Sequence, residues 1–453
     1  MRRWSKLNAS LPRLTRPSAL RGVVQFVRAI ILDERNDVAA ATDAIEESIR
    51  LLPGYSGPLV AAADILAYAD KPARAADHLL RASEIDPEIV AALPDYEISN
   101  LTRRLGQQGE ERRLAALSER LLAIGWQGES LPVRSTLASE AIAARVRQGQ
   151  IAAARALVPK LLSPADARML LVQNRYKPLW ADIETWAGPR LERQWQVYLT
   201  ELRAAWLAAR HIKTGQPYAR ALAAAGQPGA ILREFLPLFA PPIDPGNQDM
   251  LFLVSLVADA LAQKGRWQEI DPLFTAAAKA WPIGSSANAL NLTANRARLL
   301  YYQGRHSEGL TAMDAAIADS AKWAGQVSGE AVAEMHHYRA CMLHELGRDT
   351  DSVLSRGIVL GRREAVRTAN LHLCFGNAGE ARAALLGWLG EDDSSEEILR
   401  FLQPQVLQPP DSEIGKREAA QKAALRRDPE LIAAATRHAR ILPFTLQDGA
   451  PAH

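Results

Sequence analysis

The stretch AEMHHYRACMLHE, residues 333–345, sets His337, Cys341 and His344 at i, i+4 and i+7, so all three project from one face of a single helix. Imidazole and thiolate ligands at that spacing suit Zn²⁺, with Cys374 or His372 from the next hairpin available to close a tetrahedron. The packing reading weighs more. In the repeat register Ala340 and Leu343 take the packing positions, which leaves this face a partly exposed flank and the thiol a small apolar group. No metal is expected.

A second pattern suits binding. Along 287–303, Asn288, Asn291, Asn295, Arg298 and Tyr302 are spaced 3, 4, 3 and 4, one polar stripe on a helix whose other face carries Leu292, Ala297, Leu299 and Leu300. Asparagine is a poor helix former, so three in eight residues need a reason. Amides that both donate and accept fit an extended peptide backbone, and a guanidinium fits a carboxylate or phosphate. By offset from the neighbouring glycines, Asp259 and Gln263 before this stripe, and Glu334, Tyr338, Arg363, Arg367 and Asn370 after it, extend the same wall. As a solvent-side stripe, Asn295 and Arg298 are expected to be dispensable for folding.

Catalytic patterns are missing. The chain holds no G-x-x-x-x-G-K-[ST] loop, no G-x-G-x-x-G after a strand, no G-x-S-x-G elbow and no H-E-x-x-H. No cofactor is expected, and an enzymatic role would come by association with another chain, as a helical accessory subunit or substrate-positioning partner.

The elements that position these residues are helices. Of 453 residues 48% are apolar but only 6% aromatic, Ala, Leu, Arg, Glu and Gln dominate, and β-branched runs are short. The formal charge of +3 hides an uneven distribution: residues 1–32 hold Arg2, Arg3, Lys6, Arg13, Arg16, Arg21 and Arg28 with no carboxylate, so the remainder is about −4. That basic arm allows a weak contact with an anionic surface, whereas the acidic body argues against nucleic acid as the main partner. Nothing reaches the roughly 18 apolar residues of a membrane span. Two cysteines are too few for a disulfide framework, and no secretory leader is evident, so a cytoplasmic location is expected. Basic residues are mostly Arg, the usage of a GC-rich bacterial genome.

Pro53 and Pro87 lie 34 residues apart, and between them Leu59, Ala62, Ala63, Leu66, Ala75, Leu79 and Ala82 alternate large and small apolar residues over two helices. The signature recurs at Val254, Val257, Ala258 and Leu261 before KGRWQE (264–269), then at turns marked by Gly304-Arg305, Gly347-Arg348 and Gly376. This pattern resembles the tetratricopeptide repeat (TPR) family in degenerate form. The resemblance implies an all-α fold, an α-solenoid of antiparallel helical hairpins wound as a TPR-like superhelix. It also implies a scaffold that binds a peptide or protein segment in the groove lined by the first helix of each pair.

Boundaries follow from composition. The proline-rich stretch 238–249 cannot be helical throughout and is expected to divide an N-terminal module, 20–240, from a C-terminal one, 247–391. Residues 1–19 read as a basic arm, 392–442 as helices capping the last repeat, and 443–453 as a loose tail. The amphipathic stretch 190–212, with Trp195, Leu199, Leu202 and Trp206 at helical spacing, reads as a longer bridging helix.

Overall fold

The computed structural model describes residues 16–35, 37–126, 128, 131–282, 284–323, 327–348, 365–389, 395–406 and 408–451. Among them the fold is a TPR-like α-solenoid of antiparallel helical hairpins, and the only sheet-type pairing is an isolated bridge between Gln173 and Ala439. The chain divides into two compact units, residues 1–167 with 181–186, and residues 168–180 with 187–453. The break therefore does not fall at the proline-rich stretch 238–249. Short 3₁₀ turns, Leu236–Phe239 and Gln248–Met250, flank that stretch, and both flanks belong to the second unit.

The first unit stacks hairpins whose leading helices are Ala19–Asp33, Ser56–Tyr68, Asp95–Gln107 and Leu131–Arg147. Starts are set locally. Ser18 Oγ accepts from the Arg21 N–H, Asp37 Oδ1 accepts from the Ala40 N–H, and Pro72 and Pro87 stand in first turns, where a missing N–H costs nothing. Pro87 thus opens a short helix as well as ending the one before it. Every apolar position named by the 34-residue pattern is buried: Leu59, Ala62, Ala63, Leu66, Ala75, Leu79 and Ala82 all lie in one core cluster. The alanines let neighbouring helices approach, and the leucines fill the remaining gap. Trp126 closes the stack under the next hairpin, its ring buried and its Nε1 donating to the Leu93 carbonyl at 2.9 Å. Most of the basic arm lies outside the described residues; of its described members, Arg21 pairs with Glu47 at 2.7 Å.

In the second unit the stretch read as a bridging helix is Glu192–Ala208, with Trp195, Leu199, Leu202 and Trp206 all buried. Hairpins follow at Ile212–Ala224 with Pro228–Phe235, Leu251–Gln263 with Ile270–Ala280, Leu290–Tyr302 with His306–Ser320, and Ala365–Cys374 with Ala378–Trp388. Gly329–Glu345 is the leading helix of the repeat between the last two. The turns reuse one device: Gly304, at φ +76°, takes a left-handed conformation that only glycine adopts cheaply, and its N–H closes on the Tyr301 carbonyl.

The C-terminal segment does more than cap the last repeat. Helix Glu413–Arg426 packs on both Leu290–Tyr302 and Ala365–Cys374. Before it, the Asp411 N–H donates to the Ala262 carbonyl, the Asp411 carbonyl accepts from Trp267 Nε1, and Gln408 Nε2 reaches the Gly226 carbonyl. After it, Arg440 N–H and Nε donate to Val172 and Leu171 carbonyls. Nor is the tail loose over its described part. Phe444 is buried, Trp195 Nε1 donates to the Leu446 carbonyl at 2.7 Å, Gln447 Nε2 reaches Ala224, and Gln227 Nε2 reaches the Pro451 carbonyl. A chain end with this many partners on the Glu192–Pro228 stretch is a strap, and it spans the unit from the last hairpin back to the first.

Gly449 lies flat on the Arg190–Glu192 backbone, so a Cβ there would overlap the Arg190 carbonyl. Gly449→Ala is expected to lift the tail, lower the melting temperature and open residues 443–451 to proteolysis that the parent resists. Equal cleavage of both proteins would show that the tail is not docked.

Candidate functional site

The polar stripe meets the next leading helix in one open pocket of about 280 Å³. From Leu290–Tyr302 and the turn before it come Asn288, Leu290, Asn291, Ala294, Asn295 and Arg298; from the turn and helix 327–345 come Val327, Ser328, Ala331, Glu334, Met335 and Tyr338; Met313 completes the floor. The 3-4-3 spacing turns the three asparagines and Arg298 to one side, and equivalent positions of the following leading helix supply Glu334 and Tyr338.

The stripe's hydrogen bonds decide what it offers. Asn291 Nδ2 donates to the Asn288 carbonyl at 3.1 Å and Asn295 Nδ2 to the Asn291 carbonyl at 2.8 Å. One N–H of each amide is thus engaged by the preceding turn, which explains how asparagine is tolerated within this helix. Arg298 has its own partner: its NH2 group donates to Asp259 Oδ1 at 2.5 Å and to Asn295 Oδ1 at 3.4 Å, with only 15% of the side chain exposed. Burial by itself would lower the guanidinium pKa, but Asp259, Tyr338 and Tyr302 outweigh it, and the net shift is upward. Arg298 is therefore a neutralised structural cation and not a free anchor for a carboxylate or phosphate.

Tyr302 belongs elsewhere. Its hydroxyl donates to Glu418 Oε2 at 3.2 Å while Tyr301 donates to Oε1 at 3.1 Å, so a single carboxylate from helix Glu413–Arg426 ties down both tyrosines. Burial first and Glu418 second hold the Tyr301 pKa above its ordinary value; the Tyr302 pKa is raised mainly by burial, then by Tyr338 and Glu418. Tyr338, beside Tyr302, is pushed up to about 12 mainly by burial. Tyr302 lines a separate cavity with Trp267, Arg305 and Ile414, and Gln263 lines another with Gly226 and Lys416. Arg367 donates to the Glu330 carbonyl at 2.7 Å, Asn370 is half-buried outside the pocket, and Arg363 lies outside the described residues. Spacing along one helix misses Met313, Val327 and Met335, because they reach the pocket from other elements. Glu418 carries no local signal at all.

The His337, Cys341 and His344 face is not arranged as a ligand set. Cys341 is bonded to Cys374, the two Cα atoms 5.8 Å apart, which joins Gly329–Glu345 to Ala365–Cys374. His344 stacks on Phe375, and among the described residues no group of His, Cys, Asp and Glu is gathered as metal ligands. The bond corrects the reading of both cysteines as unpaired thiols. They are 33 residues apart, close to one repeat, so successive hairpins carry them to adjacent places. With it goes the cysteine argument for a reducing compartment. Among the described residues no helix is long and apolar enough to cross a membrane.

No family model matches the chain, and no curated protein matches it. Among solved structures it is similar to yeast Tom70, at 11% identity over 92% of this chain and 99% of that one, with a TM-score of 0.26. The structure titled Naa15/Naa10 bound to HypK-THB gives 12% identity over 91% of this chain and 62% of that one, with a TM-score of 0.25. The P58(IPK) TPR domain gives 12% over 92% and 99%, with a TM-score of 0.22. Superpositions this loose carry no argument, and the repeat architecture rests on the hairpins described above.

Two outcomes follow from this geometry. Arg298→Ala leaves Asp259 without its charged donor and should cost about 1–3 kcal/mol of stability, whereas Asn291→Ala, which removes only a local helix bond, should cost less than about 1 kcal/mol. Urea unfolding of the two variants checks the order, and it reverses the expectation that Arg298 is dispensable for folding. The second concerns pH. Burial, then Lys422 and Arg367, push the His337 pKa down to about 3, below its unfolded value of about 6.5. A depressed histidine contributes stability above the unfolded pKa and loses it as pH falls from about 6.5 toward 3. Melting temperature should therefore drop between about pH 7 and about pH 5, and His337→Gln should flatten that slope.

Proposed function

We propose that the chain is a protein-interaction module whose second unit holds a peptide or protein segment on the face made by Leu290–Tyr302 and Gly329–Glu345. One observation supports this reading above the others: polar side chains at helical spacing on one leading helix and matching positions on the next converge on a single open pocket with an apolar floor. Its volume, about 280 Å³, falls just below the usual range for small-molecule sites, so it suits one or two side chains of an extended segment. A binding role fits the chemistry better than a catalytic one. Arg298 is neutralised by Asp259, and the Tyr338 hydroxyl, pushed up to about 12, is far from the range of a general acid or base at neutral pH. The hairpins keep the pocket walls in place before the partner arrives, which reduces the ordering cost of binding.

A photo-crosslinking residue placed at Ala331, in the pocket wall, should capture a partner in the native cell. The same residue at Glu308, on the exposed side of the following helix, should not. No adduct at position 331, or equal adducts at both, would overturn the proposal.

A further inference from the structure

The groups left open in the pocket define the kind of partner it takes, provided the binding role just described holds. One N–H of each of the Asn291 and Asn295 amides is engaged by a backbone carbonyl, and Asn295 Oδ1 faces Arg298. Asn291 Oδ1 has no donor among the described residues. Glu334, exposed on the opposite wall, has no cation paired with it among the described residues. Arg298 and Asp259 cancel. Among the described residues that line the pocket, the formal charge not paired with an opposite one is thus that of the Glu334 carboxylate, and Asn291 Oδ1 stands beside it as an open acceptor. The feature that would favour an anion, the first turn of Gly329–Glu345, is already capped: Ser328 Oγ accepts from the Ala331 N–H, and Glu330 adds a further negative charge. Arg367, the nearby cation, donates to the Glu330 carbonyl. Below this rim the floor is Leu290, Ala294, Met313 and Met335, and thioether side chains adapt to apolar guests of differing shape.

We infer that the pocket takes a basic segment of a partner protein, one apolar side chain seated on Met313 and Met335 and an adjacent lysine or arginine facing Glu334 and the Asn291 carbonyl oxygen. The cation is recognised by an exposed carboxylate, so the charge term is modest and falls with salt. The apolar side chain supplies most of the affinity, and the charge selects among apolar sequences.

The test uses the full chain as bait for a random peptide library displayed on phage, followed by fluorescence anisotropy with the enriched peptides. Basic peptides with a neighbouring Leu, Ile or Met should be enriched. Their affinity should fall about threefold to fivefold on Glu334→Gln and further on Glu334→Arg, which should instead gain affinity for the same peptides with glutamate in place of lysine. Enriched peptides that are acidic or uncharged, or that ignore both Glu334 substitutions while losing affinity to the pocket-filling Ala331→Leu, would overturn the charge inference and leave the binding role standing. Failure to enrich any peptide, or enriched peptides indifferent to Ala331→Leu and to a second filling variant, Ala294→Leu, would overturn both. Unchanged melting temperatures of the Glu334 variants exclude unfolding as the cause of a loss.

Discussion

A helical hairpin cannot bury its own apolar face, and everything else in this protein answers that constraint. Within each unit the answer is repetition: Ala62, Ala75 and Ala82 bring helices close enough for Leu59, Leu66 and Leu79 to fill the space between them. Repetition leaves an exposed edge at the end of a stack. In the second unit that problem is met by returning the chain, so that Glu413–Arg426 lies on leading helices of two repeats and residues 437–451 reach back to Val172, Trp195 and Ala224. The strap shields apolar surface, and it ties together hairpins that otherwise touch only their neighbours.

The same return divides the face of the second unit into a covered part and an open one. Glu418 occupies Tyr301 and Tyr302 at the C-terminal end of their helix, and the pocket begins three residues earlier, at Arg298. One polar stripe therefore has two fates. Its last member is a structural contact with the chain's own C-terminal helix, and its first members face solvent. Taking a tyrosine hydroxyl and a carboxylate out of water together is acceptable because each satisfies the other, whereas either one buried alone would cost the fold.

What is legible in the sequence is what recurs within a few residues. Leu59, Ala63, Leu66 and Leu79 declare themselves because helical spacing and a 34-residue interval are local, and all four are buried as that spacing requires. The asparagine stripe is legible for the same reason. Arg298 is not, since its partner Asp259 stands 39 residues earlier and nothing in the local pattern marks one guanidinium as engaged. The tail is harder still: Leu446 meets Trp195 across 251 residues. Composition misleads in the opposite sense for Cys341 and Cys374. A count of two suggests unpaired thiols, while their separation of 33, nearly one repeat, is the signal that a stack brings them together.

Net charge is equally uninformative until it is placed. An overall +3 says nothing about a pocket in which Arg298 is cancelled by Asp259 and Glu334 has no paired cation among the described residues. The guanidinium that looks like an anion anchor in the sequence works as a scaffold. By holding Asn295 Oδ1 and Asp259 together it fixes the side-chain order of the wall, and its positive charge is used inside the protein. Had Asp259 been neutral, the same stripe would favour an acidic guest. A single half-buried pairing between successive leading helices thus uses up the cation of the stripe, and the repeat architecture, which dictates where side chains stand, leaves that choice to one residue.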